Sequence, residues 1–550
     1  MALISINKKE FEKDFGKLDE KLEERIAMFG TPIDKITEEG IDIEVLPNRP
    51  DLLSYQGFKR SFQAFLGKKT GIKEYKINKP EKDYKVIIDN SVKKIRPFTA
   101  CAIIKSINFN DEKIREIIEI QEKLHITIGR KRKKLAIGIY PLEKIKLPIH
   151  FKALEPDKIK FIPLEWPREM SGLEILQKHP TGKEYAHLLA GKEKFPIFID
   201  SNNNVLSMPP IINSELTGKI TSETKDVFVE CSGFDLEILK KCLNIIVTTL
   251  SDMGGEIYQM GLEDGKKKEI TPNLAPENMK ISIQNCNKTL GLNITEKEFE
   301  RLIQKMGYDY KKGLVEIPAW RTDIMHEVDL IEDVAIAYGY ENFIPEIPKI
   351  STIGEINPKE EIKRKISEIL TGLNILEISN YHLTKKEDQF LKMGIQNPKD
   401  FIELEESKTD YTILRNDLSH YLLKILSENI DCEYPQAIFE IGKIFNNDKE
   451  IKESEKLSLA ITPENFTKLK QILEYLFRMI KIKINLKEPQ QFPAYFIDGR
   501  VSEILIGNKK IGLMGEIHPK ILKNWKIKMP VALFEIDLEE IFEKILNHPK

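Results

Sequence analysis

The sequence concentrates its carboxylates in one short stretch, residues 318–345, which reads PAWRTDIMHEVDLIEDVAIAYGYENFIP. Within it Leu330, Val334 and Ala337 recur at the i, i+4, i+7 spacing of a buried helical stripe. A glycine follows where a C-terminal cap belongs. The pattern predicts a helix over residues 329–338.

On such a helix Asp329, Glu332 and Asp333 lie on one face within a single turn, and Asp323 just upstream is close enough to join them. Like charges at this spacing repel, which leaves two interpretations. The cluster binds a hard divalent cation, best Mg²⁺ completed by waters, or it is an acidic first turn that complements the helix dipole. A zinc H-E-x-x-H motif is excluded, because Leu330 stands where the second histidine belongs.

The same stretch carries RTD at 321–323, DLIED at 329–333 and AYGY at 337–340. This pattern resembles the B5 module in the beta subunit of phenylalanyl-tRNA synthetase. In that family four acidic residues at this spacing bind magnesium near the contact with the alpha subunit. The resemblance implies that Mg²⁺ is held here by Asp323, Asp329, Glu332 and Asp333.

Composition describes a globular, water-soluble chain. Its 550 residues leave room for roughly three to five domains, and 41% are hydrophobic and 31% charged. The net charge of −2 means that nucleic-acid contacts must come from local patches, of which residues 130–134, RKRKK, are the clearest. Five cysteines form no C-x-x-C pair, and no apolar run approaches the roughly 20 residues that span a membrane. We expect a cytoplasmic protein without a membrane partner.

Periodicity and turn signals divide the chain into four modules of an α+β multidomain protein. The first has a strand and amphipathic helices, and the second is a larger α/β module. The third, with a helix and a hairpin, suits a winged-helix-like fold, and the last suggests an antiparallel sheet with helices on one side. The predicted bounds are 1–77, 84–265, 270–347 and 350–550.

Two further modules carry family-like sequences. HPTGKEYAHLL and DSNNNVLSMPPIINSELTGKITSETKDVFVECSGFD in the second module resemble the B3/B4 editing domain of archaeal and eukaryotic beta subunits. That family usually has His-Asp after the AIGI strand, where this chain has Tyr140-Pro141. FEIGKIF, GEIHP and FEIDL in the last module resemble the subunit's catalytic-like domain, a class II synthetase fold without the catalytic motifs. The chain has neither a P-loop nor a G-x-G-x-x-G motif.

An editing domain of this kind must recognise tyrosine on the phenylalanine tRNA by its one extra hydroxyl. A site built to hydrogen-bond that hydroxyl discriminates far better than an apolar pocket that only excludes it. The resemblance places Phe198, Ser207, Glu230 and Ser232 in this pocket, Phe198 as a ring contact and the others as polar contacts. Glu230 and Ser232 are two apart on a predicted strand and share a face. The family more often has threonine at the second of these positions and a smaller aliphatic residue in place of Phe198.

The resemblance implies a beta subunit that joins an alpha subunit in an α2β2 heterotetramer. That complex uses ATP to attach L-phenylalanine to tRNA(Phe), with the chemistry in alpha and hydrolytic editing in beta. The sequence identifies no nucleophile–base pair, so the catalytic residues are unassigned and hydrolysis by a positioned water is expected. Two alternatives stay open: a noncatalytic RNA-binding scaffold of the same fold that has lost editing, and a metal-dependent hydrolase that uses the 323–333 cluster.

Overall fold

A computed structural model describes residues 2–547. The chain divides into two compact units, one that ends at Ile347 and one that begins at Pro348. Within the described residues, every helix is too short or too polar to cross a lipid bilayer. Short helical turns interrupt the loops: 3₁₀ turns at Pro50–Leu52, Asn90–Val92, Leu142–Lys144, Pro156–Lys158, Ala186–Leu188 and Tyr340–Asn342, and a π turn at Glu387–Leu391.

The first unit starts with a three-stranded antiparallel sheet, in the order β1-β3-β2, covered by helices. Ser54 caps the third helix by accepting a hydrogen bond from the Gly57 N–H at 3.0 Å. Phe58 and Phe62 stack on the buried side of that helix with ring centroids 5.2 Å apart. The elements are β1 (Ala2–Asn7), α1 (Lys8–Phe15), α2 (Glu20–Met28), β2 (Ile33–Ile36), β3 (Gly40–Val45) and α3 (Tyr55–Phe65).

A large mixed sheet follows, with the strand order β13-β12-β11-β8-β5-β15-β6-β14-β7, and β4 and β16 also pair with β15. Its strands are β4 (Ile77–Asn78), β5 (Lys85–Ile88), β6 (Phe98–Lys105), β7 (Leu135–Pro141), β8 (Ile149–Leu154), β11 (Phe195–Ile199), β12 (Val205–Met208), β13 (Ile212–Asn213), β14 (Val227–Gly233), β15 (Glu256–Asp264) and β16 (Lys267–Thr271). A separate pair is formed by β9 (Lys160–Phe161) and β10 (Met170–Ser171). The helices are α4 (Asp111–Ile126), α5 (Gly172–Lys178), α6 (Pro180–Tyr185), α7 (Glu215–Gly218) and α8 (Leu236–Asp252).

The strand predicted to carry Glu230 and Ser232 is confirmed as β14, and the AIGI strand is confirmed as β7. The alternation of side chains along β6, β14 and β7 gives each strand two buried faces. One face packs with α4 and α8 into a core that also takes in the N-terminal module and residues 281–337. The other face forms a second core with Tyr140, Phe198 and Phe228. One continuous core therefore links the three modules predicted within residues 1–347.

The last part of the first unit holds the acidic stretch. Its predicted hairpin is confirmed, and Lys312 (φ 48°) and Gly313 (φ 83°) form the turn in left-handed conformations. The predicted helix also forms, but it starts at Glu327 because His326 caps it. The elements are β17 (Glu277–Lys280), α9 (Ile283–Leu290), α10 (Glu296–Lys305), β18 (Asp309–Lys311), β19 (Leu314–Ile317) and α11 (Glu327–Tyr338).

The second unit is built on a seven-stranded sheet with the order β20-β23-β24-β28-β27-β26-β25. Its strands are β20 (Leu376–Glu377), β23 (Gln436–Asp448), β24 (Glu450–Thr462), β25 (Asn485–Lys487), β26 (Phe496–Ile506), β27 (Lys509–Ile517) and β28 (Ala532–Asp537), and β21 (Leu383–Thr384) pairs with β22 (Ile413–Leu414). The helices are α12 (Pro358–Thr371), α13 (Ser419–Glu428), α14 (Phe466–Met479), α15 (Pro519–Asn524) and α16 (Glu539–Leu546).

The predicted antiparallel sheet is confirmed, except that β20 runs parallel to β23. The prediction of helices on one side only is wrong. Helices α12, α14 and α16 share a core with one face of the sheet, and α13 and α15 share a second core with the other. Adjacent strand residues such as Leu459 and Ala460 belong to different cores, so both faces of the strands are apolar.

Arg415, which directly follows β22 in this unit, is buried and paired. Its Nη1 lies 2.5 Å from a carboxylate oxygen of Glu440, and both side chains are 2% exposed. Its Nε donates to the Lys443 carbonyl at 2.7 Å. These bonds give Arg415 a structural role, in agreement with the absence of class II motifs in the sequence.

Candidate functional site

The first unit contains a cavity of about 400 Å³ between α4 and the two ends of the large sheet. The sheet curls until β7, at one end, faces β12 and β13, at the other, as the 2.8 Å distance between the Tyr140 hydroxyl and Ser207 Oγ shows. The walls are largely apolar, with isoleucines from α4, β7 and the 211–220 segment and two prolines at 209–210. Ser207, Asn213 and Glu230 supply polar groups at one end.

Glu230 lies in the middle of β14, opposite Cys101 on β6 and Gly138 on β7. It is 2% exposed, and burial raises the pKa of its carboxyl to about 8 against the opposing charge of Arg96. Its Oε1 accepts a hydrogen bond from the Tyr140 hydroxyl at 3.2 Å. Its Oε2 is buried and has no hydrogen-bond partner within the described residues. Glu230 therefore lines an apolar cavity, and its carboxylate keeps one oxygen unpaired.

The structure brings two of the four predicted pocket residues to this cavity. Ser207 and Glu230 belong to its lining, and Phe198 and Ser232 do not. Phe198 is fully buried and stacks on Phe151 with ring centroids 4.3 Å apart. Ser232 is buried against Arg96, whose Nε donates to its Oγ at 3.1 Å. Phe198 and Ser232 thus support the wall from within the core.

A charged cluster at the rim was not predicted. Arg132 Nη2 lies 2.7 Å from Glu122 Oε1, and its Nη1 donates to the Ile211 carbonyl at 2.9 Å. Burial opposes ionisation of Glu122, but hydrogen bonds from His125 and Arg132 outweigh it and lower the pKa to about 2. His125 Nε2 accepts from the Ile137 N–H at 2.8 Å, so its proton lies on Nδ1, which faces Glu122 at 3.2 Å.

The only sequence signal for this cluster is the basic run at 130–134. Three successive residues of that run, at 130–132, have positive φ angles, and this tight turn directs Arg132 back to α4 and the 211 segment. The sequence of a basic run does not show that the chain turns within it, so the partners of Arg132 were not predictable.

The four predicted magnesium ligands lie in the same module, and three of them already accept hydrogen bonds from protein groups. The Arg321 guanidinium bonds Asp323 through Nε at 2.9 Å and Nη2 at 2.7 Å, and Nη2 also reaches Asp333 at 2.7 Å. Asp333 accepts a further hydrogen bond from the buried Tyr308 hydroxyl. Burial favours the neutral form of Asp323, but the charge of Arg321 outweighs this effect and lowers the pKa of Asp323.

The other two carboxylates point elsewhere. Asp329 accepts hydrogen bonds from the N–H groups of Met325 and His326, both at 2.8 Å, and so closes the start of α11. Glu332 is exposed. Within residues 2–547 no three acidic, histidine or cysteine side chains are placed to share a metal ion. This arrangement fits the acidic first turn better than a magnesium site, and we derive no step through a metal.

Comparison with known proteins places this geometry in a class. The family model of the tRNA synthetase B5 domain matches residues 279–340. The model of the phenylalanyl-tRNA synthetase beta chain CLM domain matches residues 344–538. These domains define a chain of an aminoacyl-tRNA synthetase.

Full-length relatives give the family. The phenylalanine–tRNA ligase beta subunit of Archaeoglobus fulgidus is 37% identical over 99% of both chains, and that of Thermococcus sibiricus is 39% identical over 90% of both. A crystal structure of an N-terminal fragment of the Pyrococcus horikoshii beta subunit matches with 36% identity and a TM-score of 0.59, covering 61% of this chain and 99% of the fragment. The chain belongs to the phenylalanine–tRNA ligase beta subunit family.

Proposed function

We propose that this chain joins an alpha subunit to attach L-phenylalanine to tRNA(Phe), and that its cavity hydrolyses Tyr-tRNA(Phe) formed in error. Family membership supports the first part. The second part is carried by one observation: a buried carboxylate with an unpaired oxygen, Glu230 Oε2, at the polar end of an apolar cavity.

The chemistry of that end matches a phenol. In its charged form Glu230 accepts a hydrogen bond from the tyrosine hydroxyl, while the isoleucine and proline walls contact the ring. Phenylalanine fills the same space but leaves Oε2 unpaired in a buried site. Such an unpaired group costs about 1–3 kcal/mol, so the cavity favours tyrosine over phenylalanine and reverses the preference expected of the synthetic site.

Hydrolysis itself requires a water that attacks the ester carbonyl, with release of tyrosine and a free terminal ribose hydroxyl on the tRNA. The described lining residues supply no serine or cysteine nucleophile paired with a base: His125 is hydrogen-bonded on both nitrogens, and Ser207 contacts Tyr140. The chain's contribution is therefore to bind and orient the ester so that a water can reach it.

The test uses the purified complex of this chain with its alpha subunit. Deacylation of Tyr-tRNA(Phe) is compared between wild type, Glu230→Ala and the control Glu143→Ala, an exposed glutamate that follows β7. We expect the Glu230 variant to lose about 100-fold in rate, since a hydroxyl-reading site loses its acceptor, and the control to match wild type. Phenylalanine charging should be unchanged in all three.

A wild-type complex that charges phenylalanine normally but leaves Tyr-tRNA(Phe) intact would contradict the editing proposal. It would support the scaffold alternative instead. Equal deacylation rates for wild type and Glu230→Ala would mean that a residue other than Glu230 recognises the tyrosine hydroxyl.

Assembly is a second part of the proposal. We propose an α2β2 heterotetramer in the cytoplasm, which multi-angle light scattering of the purified complex would test by its mass. Magnesium binding at the 323–333 cluster stays a sequence-based prediction that the bonds to Arg321 do not support. A complex of one alpha and one beta chain would contradict the stoichiometry.

A further inference from the structure

Tyr140, one of the two residues that depart from the family pattern, converges on the polar end of the cavity. Its hydroxyl lies 2.8 Å from Ser207 Oγ, 3.2 Å from Glu230 Oε1 and 3.5 Å from Asn213 Oδ1. All three partners line the cavity, but Tyr140 does not. It is fully buried, so its hydroxyl reaches them from the core side.

The ring of Tyr140 is held firmly in that position. It stacks on Phe228, the residue opposite it on β14, with centroids 5.7 Å apart and an interplanar angle of 26°. It also lies over Gly138 two residues earlier on the same face of β7. A Cβ at position 138 would be 2.0 Å from the Tyr140 oxygen. Only glycine leaves room for the hydroxyl, so the close approach fixes where that oxygen lies.

The consequence is an asymmetric Glu230. The Tyr140 hydroxyl donates toward Ser207 Oγ at 2.8 Å and toward Glu230 Oε1 at 3.2 Å, so its single proton is shared between these two acceptors. One carboxylate oxygen is then held from behind, and Oε2 is the one left without a partner.

We propose that Tyr140 is a positioning residue that sets the hydroxyl specificity of the cavity, by holding Glu230 Oε1 and Ser207 so that Oε2 is presented to the substrate phenol. The proposal rests on the editing function proposed above. In this role Tyr140 does not contact the substrate. It supports the polar end of the cavity that recognises the tyrosine hydroxyl and does not block that end.

The charge state of Glu230 gives this role a measurable signature. The titratable groups that face Glu230 are Arg96 ahead of β6, Cys101 on β6 and Tyr140 on β7. Burial raises the pKa of Glu230, and the hydrogen bond from Tyr140 lowers it by stabilising the charged form. Loss of the Tyr140 hydroxyl should therefore raise this pKa further, and a larger part of the population would carry a proton on Glu230 near neutral pH.

The experiment compares wild type, Tyr140→Phe and the control Tyr55→Phe in the complex with alpha. Tyr55 is also buried and hydrogen-bonded, to Asp14 at 2.5 Å, but it belongs to the N-terminal module. Deacylation of Tyr-tRNA(Phe) and Phe-tRNA(Phe) is measured from pH 6.5 to 9, and the spontaneous rate is subtracted. For Tyr140→Phe we expect about tenfold lower kcat/KM on Tyr-tRNA(Phe) at pH 7.5 and an upward shift of the pH midpoint.

Further readouts separate positioning from simple stability. Phe-tRNA(Phe) hydrolysis and phenylalanine charging should not change in Tyr140→Phe, and Tyr55→Phe should keep the wild-type pH midpoint. Ser207→Ala should weaken tyrosine editing in the same direction. The double variant should lose less than the product of the two single losses, because both act through one hydrogen-bond chain.

Each other outcome overturns the inference. Faster tyrosine editing in Tyr140→Phe would mean that its hydroxyl competes with the substrate. An unchanged rate and pH midpoint, with wild type active, would make Tyr140 a core residue only and would leave the editing proposal intact. Absence of tyrosine editing in wild type, with no difference from Glu230→Ala, would overturn the editing proposal and this inference together.

Discussion

The carboxyl of Glu230 in the cavity and the acidic cluster at 323–333 differ in whether their carboxylates are paired with a positively charged side chain. Glu230 keeps one oxygen unpaired, and burial raises its pKa to about 8 although the charge of Arg96 opposes this. Asp323 and Asp333 share one buried guanidinium, Arg321, and the charge of Arg321 lowers the pKa of Asp323 against burial. The clustered carboxylates Asp323 and Asp333 are thus already bonded within the protein. The single carboxylate of Glu230 still has an oxygen that can accept a hydrogen bond from a ligand.

The largest effect should come from Arg321→Met. Removal of the guanidinium leaves Asp323 and Asp333 as buried, unpaired charges, and we expect a loss of about 3–5 kcal/mol in the free energy of unfolding. Urea denaturation of the chain at pH 7 measures it. The control is Arg25→Met, whose partner Glu341 is 40% exposed, and it should cost at most about 1 kcal/mol.

Magnesium sharpens this first prediction. In wild type the carboxylates are bonded to Arg321, so millimolar Mg²⁺ should not raise the unfolding midpoint. In Arg321→Met the freed carboxylates should bind the cation and recover part of the lost stability. Saturable stabilisation of wild type by Mg²⁺, lost in Asp323→Asn, would contradict the structural reading and restore the predicted metal site.

The second prediction compares the stability of wild type and Glu230→Gln between pH 5 and 8. A carboxyl whose folded-state pKa is raised contributes most to stability below its unfolded pKa, and that contribution falls as pH rises to the folded value near 8. Between pH 5 and 8 wild type should therefore lose on the order of 4 kcal/mol relative to Glu230→Gln. Chemical denaturation of both proteins across this range gives the difference. A constant difference would mean that Glu230 stays charged in the fold.

Asp323→Asn should behave in the opposite way. Because the folded-state pKa of Asp323 is lowered, its contribution is present at neutral pH and is lost as pH falls through that value. We expect the variant to be about 1–3 kcal/mol less stable than wild type at pH 7, with the two converging in strong acid. A gap that instead widened toward acid would show that the ion pair with Arg321 is not formed.

The smallest effect is expected at the start of α11. Asp329→Ala removes the acceptor for two backbone N–H groups and should cost about 1 kcal/mol. Glu332→Ala, one turn further along and exposed, should change stability by less than about 0.5 kcal/mol. Thermal unfolding of both variants makes the comparison. Equal losses would indicate that the two carboxylates share a ligand that the bonds of Asp329 do not reveal.

Local patterns in the sequence predicted local structure well. The helix over 329–338, the hairpin of the third module and the strand that carries Glu230 and Ser232 follow from periodicity and turn chemistry, and all three are present. The same reasoning placed helices on one side of the second unit's sheet, where they lie on both. Strand periodicity shows which residues alternate, but when both sets are apolar it does not show what covers each face.

The sequence did not predict which residues far apart along the chain form hydrogen bonds with each other. The spacing of the acidic residues predicted repulsion between their charges. In the structure this repulsion is offset by Arg321 inside the same motif and by the hydroxyl of Tyr308, 25 residues before Asp333. Tyr140 stood out as a departure from the family, yet its partners lie 67 and 90 residues further along the chain. Ser207 and Glu230 line the cavity, whereas Phe198 stacks on Phe151 in the core.

The close approach of Gly138 and Tyr140 also constrains how such a chain can change over generations. With 2.0 Å between the missing Cβ and the tyrosine oxygen, no side chain can be gained at position 138 while tyrosine occupies position 140. The order of substitutions is therefore fixed: position 140 must first become smaller, and only then is alanine admitted at 138. Once alanine is fixed at 138, tyrosine can return at 140 only after glycine is restored at 138, so the two positions change in a set order in both directions.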